Sequence, residues 1–296
     1  MYHLFYLFLC LAPLAVCWID TSQIESHPNW RYLDRNRCGF SRTNTMNRII
    51  RGDRAALGQF PWIVRTGQQK GDQINYNCAG TLVNQHYVIT AMHCGPRHWV
   101  RLGENDLATN PDCDHTGCAP PVQEIPIAET FFGDFDYVTF RNDIMLIRLA
   151  FPATYNDFVQ PICLPYGSLL TRNLIGSYVQ IPGWGSINPR QQVNPNLLMY
   201  HNAPIFGIDA CRPFYAEALK PNPELQYCVG SIEGAMQGAC YGDSGGPMTI
   251  SENVNGVRRH FLVGIVSHGP KVCTDYPSVY TRVIHYLPQL LNLIRL

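Results

Sequence analysis

The run Gly238-Ala239-Cys240-Tyr241-Gly242-Asp243-Ser244-Gly245-Gly246-Pro247 constrains this chain more than any other stretch. It reads as a loop that presents one serine hydroxyl. Gly242 and Gly245 permit backbone conformations closed to other residues and let a second molecule come within hydrogen-bonding distance of the main chain. Acyl transfer has that need: a tetrahedral intermediate requires backbone N–H donors aimed at its oxygen, and the amides of Gly242 and Ser244 would supply them with no side chain in the way. Taken alone, Gly-Asp-Ser-Gly is better read as a glycine-rich surface turn beside a disulfide. The decision rests on whether partners for a nucleophilic serine occur elsewhere.

Two stretches supply them. Gly80-Thr81-Leu82-Val83 and Tyr87-Val88-Ile89-Thr90 are β-rich runs around Asn84-Gln85-His86 and predict a hairpin, which Ala91-Met92-His93-Cys94 follows directly. A lone histidine is usually structural, and nine others are present; His93 stands out because it lies at a strand end beside a cysteine. Arg141-Asn142-Asp143-Ile144-Met145-Leu146-Ile147-Arg148-Leu149 puts a carboxylate at the head of an apolar strand, where Asp143 by itself would equally suit a turn. Upstream, Arg48-Ile49-Ile50-Arg51-Gly52 passes from polar to apolar immediately after a basic residue, and Gly58-Gln59-Phe60-Pro61-Trp62 turns into a strand.

With Ser244 downstream, the segment at Arg48 resembles the activation site of a chymotrypsin-like zymogen. The order His93, Asp143, Ser244 is that of the chymotrypsin family, and not that of subtilisin or the α/β-hydrolases. The resemblance covers essentially all of the chain from Ile49 onward, a length that suits one catalytic unit with a large core. It implies an all-β fold of two packed antiparallel six-stranded β-barrels with a short C-terminal helix; from the residues, the β-branched and aromatic run Ser278-Val279-Tyr280-Thr281-Arg282-Val283 predicts a strand, and Leu287 to Ile294 suits that helix with Pro288 in its first turn. It also implies a serine endopeptidase in which Ser244 attacks, His93 moves the proton and Asp143 orients the imidazole, with Gly242 and Ser244 as oxyanion hole. Cleavage between Arg48 and Ile49 would create an α-amino group that turns inward to pair with Asp243. Without that partner Asp243 is an uncompensated charge, which an uncut chain is expected to leave in water. Arg51 departs from the family's usual glycine.

The same resemblance assigns the pocket and the cysteines. Gly238 and Ala239 fall where trypsin-like relatives carry the aspartate of the pocket floor, and Ser267, Gly269 and Ser278 would wall the pocket. Ser267 would also hydrogen-bond Asp143. The expected preference is for apolar residues before the scissile bond, with Asp275 outside the pocket. His268 stands where the family usually has tryptophan and Met92 where it has alanine. Cys78 would pair with Cys94, Cys38 with Cys163, Cys211 with Cys228 and Cys240 with Cys273. Cys113 and Cys118 predict a local loop disulfide, since no second ligand group is spaced for zinc there. The stretch from Cys118 to Glu124 resembles the matching loop of the arthropod proteases that carry a clip domain, although a clip domain is not expected here. No metal or cofactor is expected; the alternative that the resemblance offers is calcium in this loop, with Glu104 as a ligand.

Composition bounds the rest. Twenty-two basic and 22 acidic side chains leave no net charge, so nothing points to nucleic acid or an anionic surface as partner. Leu4 to Cys17 is almost wholly apolar, too short to span a bilayer comfortably, and ends in small residues spaced for signal peptidase. Residues 1–17 therefore read as a secretory signal, a buried N-terminal segment being the alternative because His3 alone stands in for the usual basic residues. Of 12 cysteines, Cys10 and Cys17 leave with the signal; the remainder is even, as an oxidising compartment favours. Residues 18–48 form a polar pro-segment with one cysteine, too featureless for a domain. No sequon for N-linked glycan and no later membrane anchor are present. The expected protein is secreted, takes protein or peptide substrates, is activated by a separate trypsin-like protease and meets protein inhibitors. The rival reading is a catalytically dead homologue acting as a binding module or cofactor, whose mark would be a lost triad member.

Overall fold

Residues 23–43, 53–186, 193–230, 240–270 and 276–295 are described by a computed structural model. The expected signal (1–17), Arg48, Ile49, Arg51, Gly238, Ala239, Cys273 and Asp275 lie outside them. Six strands close a first barrel: β1 (Ile63–Lys70), β2 (Gln73–Asn84), β3 (Tyr87–Thr90), β4 (Trp99–Leu102), β5 (Gln123–Phe132) and β6 (Met145–Leu149), in the ring order β1-β2-β3-β6-β5-β4. A second six follow: β7 (Tyr178–Gly183), β8 (Met199–Phe206), β9 (Gln226–Val229), β10 (Pro247–Val254), β11 (Val257–His268) and β12 (Ser278–Arg282). Their antiparallel pairings close a ring of the same connectivity, β7-β8-β9-β12-β11-β10, with the short strand Asp53–Arg54 added outside β8.

Strands at the junction are buried on both faces, and the alternation of side chains says why. In β3, Val88 points into the first barrel with Val64, Leu102 and Ile147, while Tyr87 and Ile89 point into a layer between the barrels. In β11, Phe261 and Val263 fill the second barrel, while Leu262 and Ile265 join the same layer as Phe60, Trp62, Ile162 and Trp184. A fully buried aliphatic or aromatic side chain gains roughly 1.5–3 kcal/mol. This layer therefore fixes one barrel against the other, and with them the groups each contributes to the site.

The C-terminal helix α1 runs Val283–Leu293 and adds Leu287, Leu290 and Leu291 to that layer. It starts earlier than the expected stretch, which began at Leu287. Val283, read as strand for its β-branched side chain, is its first residue, so Pro288 lies inside the helix and not in its first turn. A proline there removes a backbone donor and crowds the carbonyl of Ile284. The burial of its leucines offsets that cost.

Residues 23–43 are less featureless than their composition. Ile24 and Trp30 are buried, and Pro28–Tyr32 forms a 3-10 turn. Asn29 Nδ2 donates to Leu291 O at 2.9 Å, Asn84 Nδ2 to Tyr32 O at 3.0 Å and Gly167 N to Glu25 Oε1 at 2.8 Å. Gly39 (φ 73°) passes so close to β11 that a β-carbon on it would lie 2.5 Å from His260 O. Cys38 is joined to Cys163.

Candidate active site

Asp143 enters from Asn142, which takes a left-handed φ of 58° and is held by Tyr286 OH, donating to its Oδ1 at 3.0 Å, and by its own Nδ2, donating to Asp134 O at 2.9 Å. The Asp143 side chain is completely buried, and donors meet both of its oxygens. His93 N donates to Oδ1 at 2.8 Å, His93 Nδ1 lies 2.7 Å from Oδ2, and Ser267 Oγ donates to Oδ2. Thr281 Oγ1 donates to Asp143 O at 2.8 Å, tying the first barrel's aspartate to β12. A carboxylate only accepts, so His93 carries its proton on Nδ1 and leaves Nε2 free to act as a base. His93 sits on the 3-10 turn Met92–Cys94 that ends β3, pinned by the Cys78–Cys94 disulfide.

Ser244 reaches the same place from the second barrel. Ala79 N in β2 donates to Ser244 O at 2.8 Å, Gly245 N donates to Val266 O at 2.9 Å, and Gly246 N to Asp243 O at 2.8 Å. The loop is thus clamped between the barrels, and the contact leaves no room for a side chain: a β-carbon on Gly245 (φ 76°) would lie 2.2 Å from Thr90 Oγ1 and 2.6 Å from Ala79 O. Ser244 is half-exposed. Among the described residues its hydroxyl makes no hydrogen bond, to His93 or otherwise, and neither Gly242 N–H nor Ser244 N–H is spent on a protein acceptor.

Asp243 departs from expectation. In the uncut chain it is already buried, 7% exposed. Gly185 N donates to its Oδ1 at 2.7 Å and Cys240 N to its Oδ2 at 2.9 Å, and no side-chain cation pairs with it among the described residues. These amides replace water for a charge expected to remain outside. Burial nonetheless pushes its pKa up to about 6. The cradle depends on Gly183 and Gly185, where a β-carbon would lie 1.8 Å from Oδ1 and 2.2 Å from Oδ2 respectively. Sequence reading missed this role; the signal was the pair of glycines around Trp184.

A family model described as Trypsin matches residues 49–290. The chain belongs to the trypsin family of serine endopeptidases. Melanization protease 1 of Drosophila melanogaster is 33% identical over 273 residues, covering 85% of this chain and 67% of that protein. Serine protease ea of Drosophila melanogaster is 36% identical over 273 residues, covering 84% and 68%. The chain thus spans about two-thirds of these relatives. The crystal structure of the drosophila Grass clip serine protease of the Toll pathway superposes with a TM-score of 0.76 at 27% identity, over 92% of this chain and 77% of that one.

Other positions expected from the trypsin family fall as follows. Cys113 is bonded to Cys118 and Cys211 to Cys228. Cys240 is disulfide-bonded, and its expected partner Cys273 lies outside the described residues. Gly269 faces Ser278: a β-carbon on it would lie 2.7 Å from Ser278 Oγ, a buried hydroxyl with no hydrogen-bond partner among the described residues. Gly238 and Ala239, expected at the pocket floor, lie outside them.

Calcium, the alternative weighed for the loop after Glu104, would have to displace hydrogen bonds that the carboxylates there already make. Arg101 Nε donates to Glu104 Oε2 at 2.7 Å and its Nη1 to Glu124 Oε1 at 3.1 Å, so a guanidinium already lies between the two carboxylates. Asp112 is spent on Asn105 N, Asp106 N and Thr109 Oγ1. Among the described residues no three His, Cys, Asp or Glu side chains converge as a metal centre, and no helix is long and apolar enough to cross a membrane.

Proposed function

We propose that this endopeptidase is a secreted zymogen of three parts, a signal (1–17), a short pro-segment (18–48) and a catalytic unit (49–296), switched on by cleavage between Arg48 and Ile49. Ser244 attacks the peptide carbonyl while His93 Nε2 takes its proton and returns it to the leaving amine. Asp143 stabilises the imidazolium, and the Gly242 and Ser244 amides hold the oxyanion. The observation that carries this reading is the buried Asp143 with His93 Nδ1 at 2.7 Å, set beside a half-exposed serine whose loop both barrels clamp.

Specificity follows from what stands near the pocket floor. Gly238, six residues before Ser244, and Ala239 offer no carboxylate to answer a buried Arg or Lys, and an unpaired charge in an apolar slot costs several kcal/mol. The neutral hydroxyl of Ser278 narrows the slot. Cleavage is expected after Leu, Met or an aromatic residue, ahead of Ala or Val. The activation site ends in Arg48, so such a pocket does not open its own zymogen and an upstream trypsin-like protease must. Relatives named as a melanization protease, a Spaetzle-processing enzyme and a phenoloxidase-activating enzyme support a place in a cascade of secreted proteases, under control by protein inhibitors. The test is a brief trypsin treatment, quenched, followed by arginyl, leucyl and phenylalanyl peptide substrates. Preference for the apolar substrates is expected; a clear arginine preference, or rapid self-cleavage at Arg48, would overturn the pocket assignment.

A further inference from the structure

A second imidazole stands one step behind Asp143. His268, at the end of β11, has its Nδ1 3.2 Å from Ser267 Oγ, and the same oxygen donates its single hydroxyl proton to Asp143 Oδ2. Asp143 is buried and can only accept, so that proton is committed and Ser267 shows His268 a lone pair. The hydrogen between them must therefore come from His268 Nδ1. Its Nε2 is buried without a hydrogen-bond partner among the described residues, as suits the nitrogen that carries no proton.

The ring is held in this attitude by aromatic neighbours. Phe140 lies at 4.9 Å between centroids, and Tyr215 meets it edge-on at 5.4 Å. The charged groups it faces are Asp143 and His93, with Tyr215 the other titratable neighbour; burial, the larger influence, lowers its pKa to about 4, so it is neutral where the proposed chemistry runs.

We infer that His268 is a positioning residue for the triad, whose Nδ1–H locks the Ser267 hydroxyl onto Asp143 so that the carboxylate is held between two imidazoles, His93 directly and His268 through Ser267. This rests on the proposed role of Asp143 and His93. Hydrogen bonds in such a chain polarise one another. A Ser267 hydroxyl that accepts from His268 is a stronger donor to Asp143 and draws charge toward its own side of the carboxylate, away from the His93 side.

Two measurements test it. The first is nitrogen-15 NMR of the histidines in the uncut Ser244→Ala chain, which needs no activity: His268 is expected to carry its proton on Nδ1, and a proton on Nε2 with bare Nδ1 would overturn the proposal. The second is the pH dependence of kcat/KM after activation. In His268→Phe the acidic limb of the profile is expected to move to higher pH with a several-fold fall in kcat and little change in KM, and His268→Asn, which restores an N–H donor, is expected to move it back. A limb that stays in place in both variants would show His268 to be packing alone. Failure of the wild-type protein to react with a serine-directed phosphonate would instead sink the triad reading, leaving the NMR result to stand or fall separately.

Discussion

Asp243 and Gly185 are matched to each other: the Gly185 amide donates to Asp243 Oδ1 at 2.7 Å in a space that a β-carbon on Gly185 would fill. The uncut chain thus buries a carboxylate with two amides and no cation among the described residues. Its folded pKa of about 6 lies above the ordinary 3.8, so the folded state holds this proton more tightly than the unfolded one. The stability it contributes is fully present below the ordinary value and lost as pH rises through about 6, a loss of roughly 3 kcal/mol. Cleavage at Arg48 that delivers an α-amino cation to Asp243 is expected to restore it. In thermal unfolding near neutral pH with Ser244→Ala, the cut chain should melt several degrees above the uncut one. Equal melting temperatures would mean that the new terminus does not reach Asp243.

Gly185→Ala tests the cradle itself. The added methyl would meet Asp243 Oδ2 at 2.2 Å, and the serine loop must shift to admit it. Overpacking of this kind costs about 1–3 kcal/mol, and activity after cleavage should fall steeply with it. Full activity in this variant would show that Asp243 is not held where the account requires.

Arg101 is predicted to make the loop after Glu104 independent of calcium. Glu104 has a fully buried side chain whose charge Arg101 answers, and removing one partner of such a pair costs about 3–5 kcal/mol. Arg101→Gln should lower the melting temperature accordingly, whereas calcium or a chelator should leave the wild type unchanged. A calcium-induced rise of several degrees in the wild type would refute this.

Activation should yield two chains held together by Cys38–Cys163. On a denaturing gel they should part only with reductant. Release of the pro-segment without it would contradict the bridge as the link that retains it.

Much of the architecture was legible because junction strands such as Tyr87–Thr90 are short, β-branched and bounded by turn residues. What escaped notice shares one cause. Asp243 was expected in water because its charge is visible in sequence, whereas the amides of Gly185 and Cys240 that answer it are not. Residues 23–43 looked featureless because they gain their order from Leu291, Asn84 and Gly167, far away in the chain. The helix start was misplaced because Val283 suits a strand by propensity and a helix by its burial against Leu287 and its neighbours. His268 could be seen as an unusual residue, but its reach to Ser267 Oγ exists only in the fold.

The most direct measurement compares peptide hydrolysis by the wild type and by Ser244→Ala after identical cleavage at Arg48, with circular dichroism to compare their folds. A half-exposed hydroxyl without hydrogen bonds among the described residues carries little packing, so the fold should be unchanged. Turnover should fall about a million-fold, the scale on which loss of a triad nucleophile is felt. Equal hydrolysis by the two proteins would contradict the assignment of Ser244 as the nucleophile.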